Sequence, residues 1–148
     1  MRLLIDTSVL VDGQRGHLDL FRWLKGIEAA AVPSVVLAEY LVGVHAVHDG
    51  RKSAEGRKYF DEVVAHLPVE DFGAEAAATF GEVFGGLRKK GISLDPYDAM
   101  IAAMALSLGA GVATSNVRHF AQVPGLTVVS PNPGRTPDPL PEPSPSVE

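Results

Sequence analysis

Along the first 130 residues, short apolar runs alternate with longer stretches whose apolar positions recur at helical spacing. Leu3-Leu4-Ile5 runs straight into Asp6, the pattern of a strand buried on both faces. Residues 18–24 predict a helix ended by Gly26, and Ala30-Ala31-Val32 predicts a second strand. Pro33-Ser34 then opens a helix that runs through Glu39 to about Val47. In residues 53–67, Tyr59, Phe60, Val63, Val64 and Leu67 fall at helical spacing. Residues 69–72 form a candidate short strand. Residues 74–90 form a helix with Phe80, Val83, Phe84 and Leu87 on one face and Gly91 at its end. Residues 95–108 are strongly helical and closed by Gly109, and residues 111–114 and 127–129 supply the last strands. Strands separated by helices predict an α/β fold, its mainly parallel central sheet covered by helices on both faces.

The pattern stops near Val129. Seven of the eleven prolines lie between Pro131 and Pro145, among almost no apolar residues. This divides the chain into one domain over residues 1–130 and an expected disordered, proline-rich tail over 131–148. No internal repeat is visible.

Composition narrows the chemistry. The 148 residues suit a single domain with a real core, and 46% hydrophobic with 21% charged residues are ordinary values for a soluble globular protein. No apolar run approaches the roughly 20 residues of a membrane span, and the opening Met1-Arg2-Leu3-Leu4-Ile5 is too short for a signal-peptide core. The expectation is a cytoplasmic protein. With no cysteine, thiolate zinc sites, iron–sulfur clusters and cysteine nucleophiles are excluded. The five histidines form no HExxH pair, which leaves a hard, oxygen-ligated cation as the favoured inorganic partner. The net charge of −5 weighs mildly against nucleic acid. Arg135 against Asp138, Glu142 and Glu148 puts −2 in the tail and −3 in residues 1–130, so charge alone does not name the partner.

Ligands of open α/β sheets bind beyond the carboxyl ends of the strands, and Asp6 stands at such an end. Asp6 is read either as a cap of the following turn or as a ligand. Glu39 lies among Val35, Val36, Leu37, Ala38, Tyr40, Leu41 and Val42, where a buried carboxylate would be protonated, paired or metal-bound; the structural alternatives are a salt bridge to an Arg or Lys or a narrow solvent-facing stripe. In Asp95-Pro96-Tyr97-Asp98, Pro at the first helical position makes Asp95 the N-cap and frees Asp98 as the ligand candidate. Thr114-Ser115-Asn116 follows a strand, either as a plain turn or as polar lining of the same crevice. Arg118 is a candidate phosphate contact. Arg51-Lys52, Arg57-Lys58 and Arg88-Lys89-Lys90 read first as solvated faces.

Four stretches together resemble the PIN-domain ribonucleases, in particular the VapC-type toxins of bacterial toxin–antitoxin pairs. They are Leu4-Ile5-Asp6-Thr7-Ser8-Val9-Leu10, then Val32-Pro33-Ser34-Val35-Val36-Leu37-Ala38-Glu39 with Gly43, then Asp98-Ala99-Met100-Ile101-Ala102-Ala103-Met104-Ala105, and Val112-Ala113-Thr114-Ser115-Asn116-Val117-Arg118-His119-Phe120. Their order and spacing match over about residues 2–129. The resemblance implies a PIN-like three-layer fold and a Mg²⁺- or Mn²⁺-dependent endoribonuclease whose hydrolysis leaves a 5′-phosphate. It implies metal ligation by Asp6, Glu39 and Asp98, with Asn116 at a fourth polar position that is often Asp in the family. It also implies an RNA substrate, a cognate antitoxin over the active-site groove and a homodimer. A non-catalytic PIN-like module that binds RNA or protein is the alternative, kept open by the uncharged Asn116. A phosphatase or receiver-like domain ranks below both, since Asp6-Thr7-Ser8 lacks a second acid two residues on and no lysine follows the late strand.

Overall fold

The computed structural model describes residues 1–135. β1 (Arg2–Ile5) leads into α1 (Thr7–Gln14) and α2 (Leu20–Leu24), and β2 (Ala29–Pro33) into α3 (Ser34–Ala46) and α4 (Gly50–His66). β3 (Val69–Glu70) precedes α5 (Ala74–Lys89) and α6 (Pro96–Leu108), and β4 (Gly111–Ala113), α7 (Val117–Phe120) and β5 (Val128–Val129) complete the order. The five strands lie in the order β3-β2-β1-β4-β5, each neighbouring pair parallel. In β1, Leu3 and Leu4 pair with both neighbours, Leu4 sitting between Ala31 and Val112, and Ile5 pairs with Ala113 of β4.

This order positions the site. From β1 the chain steps outward through β2 to β3, then returns across the sheet to β4 and continues to β5. Right-handed crossovers therefore lay the connections of the two halves on opposite faces, giving helices above and below the sheet. The direction reverses between β1 and β4, and at such a switch point a crevice opens beyond the strands' carboxyl ends. Asp6 and Thr114 are the residues that follow those two strands.

Burial explains why the strands read as continuous apolar runs. Leu4, Ile5, Ala31, Val32, Val112 and Ala113 are fully enclosed, and each large one contributes about 1.5–3 kcal/mol relative to exposure. α6 packs against α5, β1 and β4, with Ala99 and the run Ile101-Ala102-Ala103-Met104-Ala105 buried. Its alanines let neighbouring backbones approach closely. Gly109 ends α6 in the left-handed conformation at φ 65°, the glycine stop that the sequence predicts.

Several elements differ from expectation. The turn expected after Asp6 is helix α1, with Val9 and Leu10 buried. Pro33 ends β2 instead of opening α3, α4 starts at Gly50, and β3 is only two residues long. The apolar surroundings expected to bury Glu39 do so only in part. α3 buries only Val36, Tyr40 and Val44, leaving Val42 62% exposed and Glu39 half-buried. The apolar face of α3 is core along Val36, Tyr40 and Val44 and surface at Val42. The tail expected beyond residue 130 lies outside the described residues from 136 onward, while residues 131–135 fold back toward α1. No described helix is long and apolar enough to cross a membrane.

Candidate functional site

One crevice at the switch point is lined by Asp6, Thr7, Ser8, Val11, Asp12, Glu39, Asp95, Asp98, Asn116 and His119. It has a solvent-accessible volume of about 160 Å³. The sequence-predicted acids Asp6, Glu39 and Asp98 all face it, brought together from the end of β1, the middle of α3 and the first turn of α6. Asn116 joins them from the loop after β4.

Asp6 occupies the N-cap position of α1, and its backbone amide donates to Ala113 O at 2.9 Å, continuing the β1–β4 pairing. Its carboxylate, 3% exposed, accepts from Ser8 Oγ at 2.7 Å and Thr114 Oγ1 at 2.8 Å, both on Oδ2. Each hydroxyl is itself held by an amide of the β4 loop: Ser115 N donates to Ser8 Oγ at 3.0 Å, and Asn116 N to Thr114 Oγ1 at 2.9 Å. Two short relays thus orient one carboxylate oxygen. Burial raises the Asp6 pKa, and these hydrogen bonds oppose the rise.

Glu39 accepts a hydrogen bond from Thr7 Oγ1 across the crevice. Its pKa is raised, chiefly by burial, with further upward pushes from the charges of Asp6 and Asp95. Asp95 caps α6, accepting from Tyr97 N at 2.9 Å and Asp98 N at 3.3 Å, as Pro96 at the first helical position predicts. Asp98 is thereby turned inward with only 13% of its side chain exposed. Burial, then the charges of Asp6 and Asp95, push its pKa up to about 7, against the His119 imidazole 3.3 Å away.

A hard divalent cation suits this donor set, which offers carboxylates, hydroxyls and an amide and no sulfur. Among the described residues no three acid or imidazole side chains close around a single point. Glu39 and Asp98 turn instead to Thr7 and His119. An ion that keeps several waters needs few direct carboxylates, so a crevice of this width fits it.

Sequence reasoning missed Thr7, Ser8, Asp12 and His119. The first three share a face of α1, where positions 8 and 12 are a helical turn apart; reading α1 as a turn hid that spacing. Arg118, expected near the crevice, is exposed and does not line it. Its neighbour His119 does. α7 begins right after Asn116 and buries Phe120, and that register turns His119 toward Asp98.

The PIN domain family model matches residues 3–126. A ribonuclease VapC1 of Rickettsia felis is 31% identical over 130 residues, covering 88% of this chain and 96% of the relative. A tRNA(fMet)-specific endonuclease VapC of Salmonella typhimurium is 38% identical over 65 residues, covering 44% of this chain and 49% of that protein. Among solved structures, VapBC2 of Rickettsia felis bound to a DNA fragment from its promoter superposes with a TM-score of 0.78 at 25% identity, over 88% of this chain and 98% of that one. A five-stranded parallel sheet in this order, acids gathered at its switch point, and a family match across nearly the whole described chain lead to one conclusion: this chain belongs to the PIN-domain family and is of the VapC type.

Proposed function

We propose that the chain is a metal-dependent endoribonuclease, the toxin of a toxin–antitoxin pair, in which Asp6, Glu39 and Asp98 hold Mg²⁺ or Mn²⁺. The observation that carries this reading is that acids from β1, α3 and α6 line one crevice, inside a chain related to VapC ribonucleases. Carboxylates about 4 Å apart repel by roughly 1–4 kcal/mol per pair at high effective dielectric, and a divalent cation reverses that sign. Burial raises the pKa of all three acids, and at Glu39 and Asp98 the charges of neighbouring acids push it further up.

When bound, the metal supplies an activated water and charge neutralisation for the phosphodiester. The chain's own residues do the rest. Asp6 is pre-oriented by Ser8 and Thr114, so it reaches the crevice with little freedom to lose. Asp98 enters from the first turn of α6, where Asp95 has already satisfied the backbone amides. Glu39 ligates or positions the attacking water. Asn116 contributes a neutral amide that hydrogen-bonds phosphate or ordered water, and its lack of charge favours a single metal ion.

The partners follow from the same reading. Neighbouring folds are VapBC complexes, which supports an antitoxin chain as partner. The uncovered apolar residues of α3, Val42 foremost, offer surface for that chain or for a second copy in a homodimer. Sizing the isolated chain in solution tests the dimer, and a clean monomer at micromolar concentration refutes it.

Incubation with total RNA, with and without Mn²⁺, followed by mapping of the cut ends, tests the activity. A discrete set of Mn²⁺-dependent cuts bearing 5′-phosphates is expected. RNA left intact under every condition returns the chain to the class of binding modules.

A further inference from the structure

The described chain continues past β5 into a tight turn, Pro131-Asn132-Pro133-Gly134-Arg135. Arg135 N donates to Asn132 O at 3.3 Å, and Gly134 has φ 84°. Pro followed by Gly at the central positions is the sequence of a type II turn, whose second central residue must enter the left-handed region. Asn132 Nδ2 donates to His17 O at 3.1 Å, fastening the turn to the loop after α1. The turn delivers Arg135 to α1, its Nε 3.5 Å from Asp12 Oδ1.

Asp12 lines the crevice yet has no part in the ligand set, and its side chain is only 3% exposed. A carboxylate this deep requires a counter-charge or hydrogen bonds. It has both. Arg135 approaches one oxygen, and Ser115 Oγ donates to the other at 2.6 Å. Ser115 is the residue whose amide holds Ser8 Oγ, and Ser8 in turn donates to Asp6. A continuous polar chain therefore runs from Arg135 through Asp12, Ser115 and Ser8 to Asp6.

We propose that Arg135 is a positioning residue for the crevice: by pairing with Asp12 it fixes Ser115 and the loop after β4 on which Thr114 and Asn116 stand. Residues 131–135, the first part of the proline-rich tail, act as a strap that closes the back of the site. An exposed ion pair would do little here, but the acid side of this one is buried, so loss of Arg135 leaves Asp12 to draw on Ser115 alone. The effect on catalysis rests on the nuclease reading above; the effect on the loop does not.

The test uses the full 148-residue chain with Arg135→Gln, Arg135→Lys, Asp12→Asn and the double variant Asp12→Asn/Arg135→Gln. Amide hydrogen exchange at Ser115 and Asn116 is followed beside Mn²⁺-dependent RNA cleavage. Arg135→Gln is expected to speed exchange of these two amides about tenfold while the β1 amides keep their wild-type rates. Its kcat should fall about tenfold with KM within about twofold, because the loop is misplaced while substrate contacts persist. Arg135→Lys restores most of both, and the double variant is no worse than Asp12→Asn alone, the signature of residues acting as one unit. Unchanged exchange at Ser115 and Asn116 in Arg135→Gln overturns the proposal. So does an equal acceleration of the β1 amides, since the pair would then hold the whole fold. Selective acceleration in a chain that cuts no RNA upholds the strap and overturns the nuclease reading instead.

Discussion

His119 Nδ1 lies 3.3 Å from Asp98 Oδ2, joining α7 to the first turn of α6 at the crevice. The imidazole is the group that opposes the rise of the Asp98 pKa, which burial and the charges of Asp6 and Asp95 carry up to about 7. In His119→Ala that opposition is gone. The Asp98 carboxyl carbon, followed by NMR in metal-free protein, should titrate higher than in wild type, by on the order of half a unit. A titration that stays put or moves down contradicts the pairing.

The same raised acids set how stability depends on pH. Asp6, Glu39 and Asp98 each bind a proton more tightly folded than unfolded. Their contribution to metal-free stability is therefore complete below the unfolded value of 3.8 for Asp, and it is lost as pH rises through about 7 at Asp98. Asp98→Asn removes one buried charge. It should melt a few degrees above wild type at pH 8, on a scale of about 2–4 °C per kcal/mol, and close to wild type at pH 4. Thermal melts across this range check the sign; a variant that melts lower at pH 8 would show that Asp98 is not strained by its charge.

Asp6→Asn, Glu39→Gln and Asp98→Asn should each reduce RNA cleavage by about 100-fold or more, with circular dichroism unchanged. These exchanges keep the side-chain shape, remove the charge and replace one acceptor oxygen with an amide donor. Wild-type rates in Asp6→Asn or Asp98→Asn would remove those residues from the site.

Phe120 is fully buried one residue after His119 and anchors α7. Phe120→Ala should cost about 3–5 kcal/mol in chemical denaturation. A loss below about 1 kcal/mol would mean that the side chain is not part of the core.

How far the sequence discloses this molecule depends on whether a residue's environment is local. β1, β2 and β4 are legible because strands inside a parallel sheet are buried on both faces and read as unbroken apolar runs. Asp95 is legible because a cap and a following proline are adjacent in sequence. α1 is not. Thr7, Val9 and Val11 are β-branched and Gly13 is a weak helix former, so only packing of Val9 and Leu10 declares the helix. Glu39 is legible only in part, because an apolar helix face looks like core whether or not anything covers all of it. Asp12 is met by Ser115 and by Arg135 from the far part of the described chain, and no local pattern encodes those pairings.

Titration of the metal-free chain with Mn²⁺, read by calorimetry at pH 8, bears most directly on the shared ion site. One ion per chain is expected, with affinity falling about tenfold or more in each of Asp6→Asn, Glu39→Gln and Asp98→Asn. Binding that survives unchanged in any two of these variants would place the ion elsewhere, and the crevice would lose its chemistry.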